Sequence, residues 1–164
     1  MHETADDLIA LSALLDRSDA GAGDHMRSIF TPERRLAAEE LVALLPGVQV
    51  LNLATVTRAC APRVAPVDGL FYRGRFWFGS AAAAVRFTHL RQRPQVSASH
   101  TRGEELAVIV HGTATLIEAG DPAHAGFAAY YRAVYGFGWD EWDLPVQFAR
   151  IDASHLFTCR PAAS

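Results

Sequence analysis

Residues 48–79 read VQVLNLATVTRACAPRVAPVDGLFYRGRFWFG, which is the pattern of consecutive short strands. Within this stretch, Val48–Thr57 alternates and is rich in β-branched residues, which predicts a first strand. A second strand is predicted over Pro62–Tyr72, with an interruption at Pro66, and a third over Arg75–Gly79. Because these strands follow one another through short turns, we expect a mostly antiparallel sheet.

The residues that follow predict further strands and two helices. Strands are predicted at Pro94–Thr101, Leu106–Glu118, Gln147–Asp152 and Leu156–Cys159. Helices are predicted at Ser80–Leu90, with Ser80 as the N-cap, and from Asp121 to about Tyr135. A small barrel fits this order better than a doubly wound sheet, and no GxGxxG motif follows any strand.

The N-terminal residues predict two helices and a loop. Leucines at helical spacing indicate a helix over Thr4–Leu15, and a loop rich in Gly, Ala and Asp follows at Ser18–Asp24. Thr31 as N-cap and Pro at the first helical position predict a second helix that runs to about Leu45. We therefore expect residues 1–30 to form a helical extension and residues 31–164 a barrel domain, within a single domain overall.

The composition is that of a globular protein. Of 164 residues, 50% are apolar and 20% are charged, and the net charge of −3 favours neither nucleic acid nor an anionic membrane as a partner. No apolar run reaches the roughly 18 residues of a membrane helix, and the acidic N-terminus lacks the features of a signal peptide. We interpret Cys60 and Cys159 as reduced thiols and expect a cytoplasmic protein.

The absence of lysine excludes several classes of enzyme. All 15 residues counted as Lys or Arg are arginines. Enzymes that form a Schiff base on a lysine are therefore excluded, and so are P-loop NTPases. No pair among the seven histidines has zinc-site spacing with a third ligand nearby, so we expect no metal site.

Positive charge is concentrated in the segment from Arg58 to Arg102, which holds eight arginines and one acid, Asp68. One interpretation is a solvated basic face, and the other is an anion site that suits a phosphate. The predicted helix start at Ser80 favours the anion site, because a helix N-terminus offers free N–H groups and Arg86 lies within reach. An ordinary helix start explains the same residues, so both interpretations stay open.

Five segments within residues 53–117 form an ordered set. They are LATVT (53–57), APRVAPV (61–67), RFWFGS (75–80), VRFTHLRQRPQVSAS (85–99) and VIVHGTATLI (108–117). The set resembles the pyridoxamine 5'-phosphate oxidase-like superfamily of flavin and deazaflavin split β-barrels. The resemblance implies a mainly β fold, a six-stranded antiparallel split β-barrel with flanking helices. It also implies a homodimer with two cofactor sites at its interface.

The resemblance further implies which residues bind the cofactor. In the family, the second strand lies along the cofactor ring, and the residues here are Arg63, Val64, Ala65 and Pro66. The end of the third strand and the basic residue opening the next helix bind phosphate, which corresponds to Gly79, Ser80, Val85 and Arg86. Aromatic residues cover the ring, and Trp139 and Trp142 are the candidates. Packing of the last helix onto the barrel is the other interpretation of these two tryptophans.

The expected function follows from the resemblance and from two departures. Family members that oxidise pyridoxamine phosphate carry an Arg at the place of Ala65 and a Lys near Leu70, and this chain has neither. We expect an oxidoreductase that uses FMN or the deazaflavin coenzyme F(420) on a small organic substrate and requires no catalytic acid or base. The alternative is a non-catalytic split barrel that binds haem or another ligand as a carrier or sensor.

Overall fold

A computed structural model describes residues 2–118 and 121–161. Its six strands close into one barrel in the order β1-β2-β3-β6-β5-β4, and every pair of neighbours is antiparallel. The strands are β1 Val48–Val56, β2 Pro62–Tyr72, β3 Arg75–Ala81, β4 Gln95–Arg102, β5 Leu106–Ile117 and β6 Val146–Cys159. The expected mainly β fold, a six-stranded antiparallel barrel, is confirmed.

Five α-helices flank the barrel in the described part of the chain. They are α1 Ala5–Ala20, α2 Asp24–Ile29, α3 Ala38–Leu44, α4 Val85–Gln92 and α5 Pro122–Tyr135. Short 3-10 turns lie at Pro32–Arg34 and Trp139–Glu141. None of the helices in this part is long and apolar enough to span a bilayer.

Successive side chains of a strand point alternately into and out of the barrel, and this alternation determines which side chains fill its interior. In β1, Leu51 and Leu53 are at most 2% exposed, whereas Val50, the residue before Leu51, is 55% exposed on the outer face. Phe76 and Phe78 of β3 join the same interior cluster. Burying a side chain of this size contributes roughly 1.5–3 kcal/mol, so a one-residue slip in register would expose the core and is strongly disfavoured.

Helix α1 packs against β6 and shares the apolar core of the barrel. Leu11, Leu14 and Leu15 belong to the cluster that fills the barrel interior. The buried Ser18 hydroxyl donates to the Leu14 carbonyl at 2.7 Å and accepts from the backbone N–H of Leu156 in β6 at 2.8 Å. This hydroxyl therefore ties α1 to the barrel. The division of the chain between residues 30 and 31 stays a prediction.

Helix α5 forms an aromatic layer on the outer face of β3 and β6. The ring of Phe127 stacks on that of Trp77, with centroids 4.5 Å apart, and Tyr131 meets Phe148 edge-on at 5.5 Å. Gly79 lies opposite Phe148 in the ladder between β3 and β6, where a Cβ atom would overlap the Phe148 ring. Glycine at this position therefore allows the ring to lie against β3.

The prediction of a helix over Ser80–Leu90 is wrong at its start. β3 continues to Ala81, Ser80 pairs with Gln147 of β6, and α4 begins only at Val85. Ser80 is therefore a strand residue and not an N-cap. The reason is tertiary: hydrogen bonding to β6 outweighs the helix propensity of the alanine run, which is a weak preference.

The predicted helix from Thr31 to about Leu45 is also wrong, because it is two elements. A 3-10 turn covers Pro32–Arg34, the backbone becomes extended at Arg35, and α3 starts at Ala38. The N–H of Leu36 donates to the Thr158 hydroxyl at 3.0 Å. This bond to β6 replaces the helical bond that a continuous helix would make.

Two other predicted boundaries differ from the structure. α1 continues through Ser18 to Ala20, where the sequence predicts a loop, because the buried Ser18 also bonds to Leu156 of β6 and holds this turn against the barrel. The two predicted closing strands are one strand, β6, with an irregularity in its pairing at His111 and Gly112 of β5. A β-bulge of this kind interrupts the alternation that sequence patterns rely on.

Replacing Ser18 with Ala should lower the free energy of unfolding by about 1–3 kcal/mol, because the buried N–H of Leu156 loses its acceptor. The matched control is Ser12→Ala on the exposed side of the same helix, with an expected change within about 0.5 kcal/mol. Urea unfolding followed by tryptophan fluorescence measures both variants. Equal effects would show that this hydroxyl does not hold α1 to the barrel.

Candidate functional site

A pocket of about 60 Å³ lies between the first half of β2 and α4, and we call it the β2–α4 pocket. It is lined by Leu53, Thr55, Arg63, Ala65, Val85, Arg86 and His89. The ladder between β1 and β2 sets its wall, because Leu53 pairs with Ala65 and Thr55 pairs with Arg63. Four residues with a predicted role in cofactor binding therefore meet here: Arg63, Ala65, Val85 and Arg86.

The guanidinium of Arg86 has a buried hydrogen-bond donor that is not used within the β2–α4 pocket. Its Nη2 donates to the carbonyl of Pro66 at 3.2 Å, while its Nη1 is buried and has no partner among the described residues. Burial lowers the pKa of the guanidinium, since desolvation disfavours its charged form. An arginine remains charged even so, and an unpaired buried donor is costly, so an anion at this position would be stabilised.

The first half of β2 has a free backbone edge next to this pocket. β3 pairs with β2 only over Gly69–Tyr72, whereas β1 pairs with it over Pro62–Leu70. In the described part of the chain no strand covers the second edge at residues 62–68. The N–H and C=O groups along this edge can hydrogen-bond a ligand, and the carbonyl of Pro66 already accepts from Arg86.

His89 is a pocket residue to which sequence reasoning gave no role. Its Nδ1 lies 2.9 Å from the hydroxyl of Thr55, which is only 4% exposed, and its side chain lines the β2–α4 pocket. This bond fixes the ring while leaving Nε2 outside it. The spacing of three residues from Arg86 was the available signal, because residues three apart share a helix face.

A second pocket, of about 90 Å³, lies between the outer face of β2 and β3 and helix α5, and we call it the aromatic pocket. Seven of the residues that line it are aromatic: Trp77, Phe78, Phe127, Tyr131, Tyr135, Trp142 and Phe148. Asp68, Gly79 and Ser80 are also part of its wall. Within residues 2–118 and 121–161, no basic side chain lines this pocket.

The predicted site residues are therefore divided between two places. Gly79, Ser80 and Trp142 line the aromatic pocket, on the other side of the sheet from Arg63 and Arg86. The remaining three line neither pocket: Val64 is 66% exposed on the outer face of β2, Pro66 is exposed and offers its carbonyl, and Trp139 packs on Phe127 and His124. Their roles in cofactor binding stay predictions.

Neither pocket alone can enclose a tricyclic ring system. Volumes of about 60 and 90 Å³ compare with roughly 300–1,000 Å³ for pockets that enclose larger ligands. Residues 62–66 of β2 are exposed on both faces of the strand. A cofactor on this strand would therefore need additional walls beyond those that the described residues of one chain provide.

The cluster of arginines in the sequence does not form one basic surface. Arg73 pairs with Asp7 at 2.9 Å, Arg75 lies 3.6 Å from Asp152, and Arg102 bonds to Gln49 at 2.9 Å. Arg73 and Arg75 line a further pocket together with Asp7, the ion-pair partner of Arg73, whereas no acid of the described residues lines the pocket of Arg63 and Arg86. Of the arginines in this segment, Arg63 and Arg86 are therefore the ones that remain candidates for an anion site.

The histidines form no metal centre in residues 2–118 and 121–161, where no three His, Cys, Asp or Glu side chains converge. His111 bonds through Nδ1 to Ser97 at 2.8 Å and lies opposite His155 in the ladder between β5 and β6. Burial, and then the neighbouring His155, lower the pKa of His111 below its ordinary value of 6.5.

Comparison with known proteins identifies a protein family that matches most of the chain. The family model described as pyridoxamine 5'-phosphate oxidase matches residues 37–160. A search of curated proteins finds no match to the chain.

Solved structures share the fold at low sequence identity. An FAD-binding protein of Mesorhizobium loti is 20% identical with a TM-score of 0.58, covering 76% of this chain and 95% of that chain. HutZ, the heme storage protein of Vibrio cholerae, is 17% identical with a TM-score of 0.59, covering 79% and 94%. An F(420) reductase is 16% identical with a TM-score of 0.53, covering 70% and 93%.

His111 should make the protein less stable in acid. Because its pKa is lowered in the folded state, the unfolded chain binds the proton more readily, and stability falls as pH drops below about 6.5. In His111→Gln, the loss of unfolding free energy between about pH 7.5 and about pH 5.5 should be smaller than in the parent protein. His25→Gln, an exposed site on α2, is the control. An unchanged loss in His111→Gln would contradict the assignment.

Proposed function

Because the chain belongs to the pyridoxamine 5'-phosphate oxidase family, we propose that it is a flavin-type oxidoreductase that acts on a small organic substrate. It binds FMN or the deazaflavin coenzyme F(420), and its fold neighbours include an FAD-binding protein and an F(420) reductase. The observation that carries the proposal is Arg86, whose buried Nη1 has no partner among the described residues and lies beside the free edge of β2.

The residues of the β2–α4 pocket fit a phosphorylated ring cofactor. A phosphate supplies the acceptor that Nη1 of Arg86 lacks, and Arg63 adds a second positive charge. The free edge of β2 would hold the ring through backbone groups of residues 63–66. The bound cofactor supplies the hydride chemistry, while the chain binds it, orients it and excludes water.

We also propose that the working form is a homodimer. Val50 and Val64 are 55% and 66% exposed on the outer face of β1 and β2. They lie beside residues 62–66 of β2, which are exposed on both faces of the strand. A second copy of the chain would bury these valines and add the missing walls, with one site per subunit at the interface. Exposed apolar faces of this kind are typical of interfaces between subunits.

A non-catalytic protein that binds haem is the second candidate, and His89 favours it. Nδ1 of His89 is held by Thr55, which leaves Nε2 as a ring nitrogen of the kind that ligates haem iron. HutZ, a heme storage protein, shares the fold. A flavin-type cofactor accounts better for the orphaned Nη1 of Arg86, because its phosphate is a matching anion.

The first experiment is a titration of the purified protein with FMN, coenzyme F(420) and haem, followed by visible absorption and tryptophan fluorescence. Saturable binding of about one FMN or F(420) per subunit supports the oxidoreductase and selects the substrates to screen. Haem binding that is lost in His89→Ala supports the carrier or sensor instead. Binding of none of the three contradicts both functions and leaves the fold without a cofactor.

Arg86→Ala should weaken binding of FMN or F(420) by about 1.5–3 kcal/mol, the usual cost of losing a hydrogen bond to a charged group. The matched control is Arg91→Ala, an exposed arginine on the same helix, for which we expect no change in affinity. Titration of each variant by fluorescence gives the two dissociation constants. Equal affinities for both variants would remove Arg86 from the site.

Val64→Asp should convert the dimer into a monomer, because it would bury a carboxylate in an apolar interface. Ile9→Asp is the control, since Ile9 is 67% exposed and belongs to helix α1 and not to the strands of the proposed interface. Sedimentation of each variant gives its mass in solution. A parent protein that sediments as a monomer, or a Val64→Asp variant that stays dimeric, would count against this interface.

A further inference from the structure

The aromatic pocket has a composition that the proposed cofactor does not explain. Its walls are aromatic rings, among them Trp77, Tyr135 and Trp142, and no arginine of the described residues lines it. Its single formal charge is the carboxylate of Asp68. The phosphate-binding candidates Arg63 and Arg86 line the other pocket, so an anionic group gains nothing here.

Asp68 is a carboxylate without a counter-charge. It is exposed, and it forms no ion pair with any residue in ranges 2–118 and 121–161. Its charge acts on the phenol groups of the pocket. Burial, and then Asp68, raise the pKa of Tyr135 to about 12, and the same two causes raise the pKa of Tyr131. Both hydroxyls are therefore neutral at physiological pH, and Asp68 is the formal charge among the described residues of this pocket.

Trp142 forms a partial cover over the pocket. Its side chain is 46% exposed, and the centroid of its ring lies 6.1 Å from that of Phe137. Aromatic rings carry negative charge on their faces, so rings gathered beside a free carboxylate attract a cation from several directions.

We propose that the aromatic pocket binds a small organic cation of the alkylammonium class, with Asp68 as its counter-charge. The volume of about 90 Å³ suits a methylated ammonium group and is too small for a tricyclic cofactor. Such cations are weakly hydrated and gain from aromatic faces, which is how aromatic cages select them. This site is separate from the β2–α4 pocket and does not depend on the proposed oxidoreductase function.

The test compares a cation with its neutral isostere on the purified full-length chain. Choline and 3,3-dimethylbutan-1-ol have the same shape and differ in the charge of the central atom. We expect choline to bind about tenfold more tightly, measured by calorimetry and by tryptophan fluorescence at matched ionic strength. Equal affinities, or binding of neither compound, would overturn the proposal.

Two variants separate the charge of the site from its aromatic wall. Asp68→Asn keeps the shape and removes the charge, and should reduce choline affinity about fivefold while leaving the neutral alcohol unaffected. Trp142→Leu should weaken choline binding similarly by calorimetry. The matched control is Asp16→Asn, an equal change of net charge at an exposed position of α1.

The outcomes distinguish this site from the cofactor site. If Asp68→Asn and Asp16→Asn have the same effect on choline binding, only the net charge matters and the proposal fails. If Arg86→Ala weakens flavin binding while choline binding is retained, the two sites are independent, as we propose. Loss of choline binding on saturation with FMN would show that the cofactor occupies this pocket, and would overturn the separation of the sites.

Discussion

The hydrogen bonding of β3 determines most of the molecule around it. β3 pairs with β2 over Arg75–Phe78 and with β6 over Trp77–Ala81, so it leaves β2 and follows β6. This exchange of partners frees the edge of β2 next to Arg86. It also keeps the chain extended through Ser80, which delays α4 until Val85. The two pockets lie on either side of the sheet beside this point of divergence.

Much of the barrel was predictable because its signals are local. Alternation in β1 and the turn residues between strands place five strands within a few residues of their observed bounds. The failures at Ser80 and at the helix from Thr31 have a common cause. In each case a hydrogen bond to β6, from β3 or from Leu36, outweighs a local preference for helix. Such long-range bonds leave no mark in the local pattern.

The site was predictable only in part, because resemblance names residues without placing them. Arg63, Ala65, Val85 and Arg86 do share one pocket, but Gly79, Ser80 and Trp142 line another. The orphaned Nη1 of Arg86 and the bond between Thr55 and His89 depend on how α4 packs against β1. Asp68 appeared in the sequence only as the exception in a basic segment, and it is the charge of the aromatic pocket.

Strand alternation in β2 keeps charges of opposite sign apart. Arg63 and Ala65 lie on one face, toward α4, whereas Asp68 and Leu70 lie on the other, toward α5. Successive residues of a strand point to opposite faces, and Arg63 and Asp68 are five positions apart, so their side chains leave β2 on opposite sides. A single strand therefore supplies an arginine to one pocket and a carboxylate to the other, without the two groups pairing with each other.

The first half of β2 buries little surface and makes few backbone hydrogen bonds within a single chain. Residues 62–66 are exposed on both faces and pair along one edge only. In the described residues, the bond from Arg86 to Pro66 is the side-chain contact that ties this segment to α4. A ligand on one face and a second chain on the other would each order the same residues. Their binding free energies would then be coupled, and each would increase the affinity of the other by the same factor.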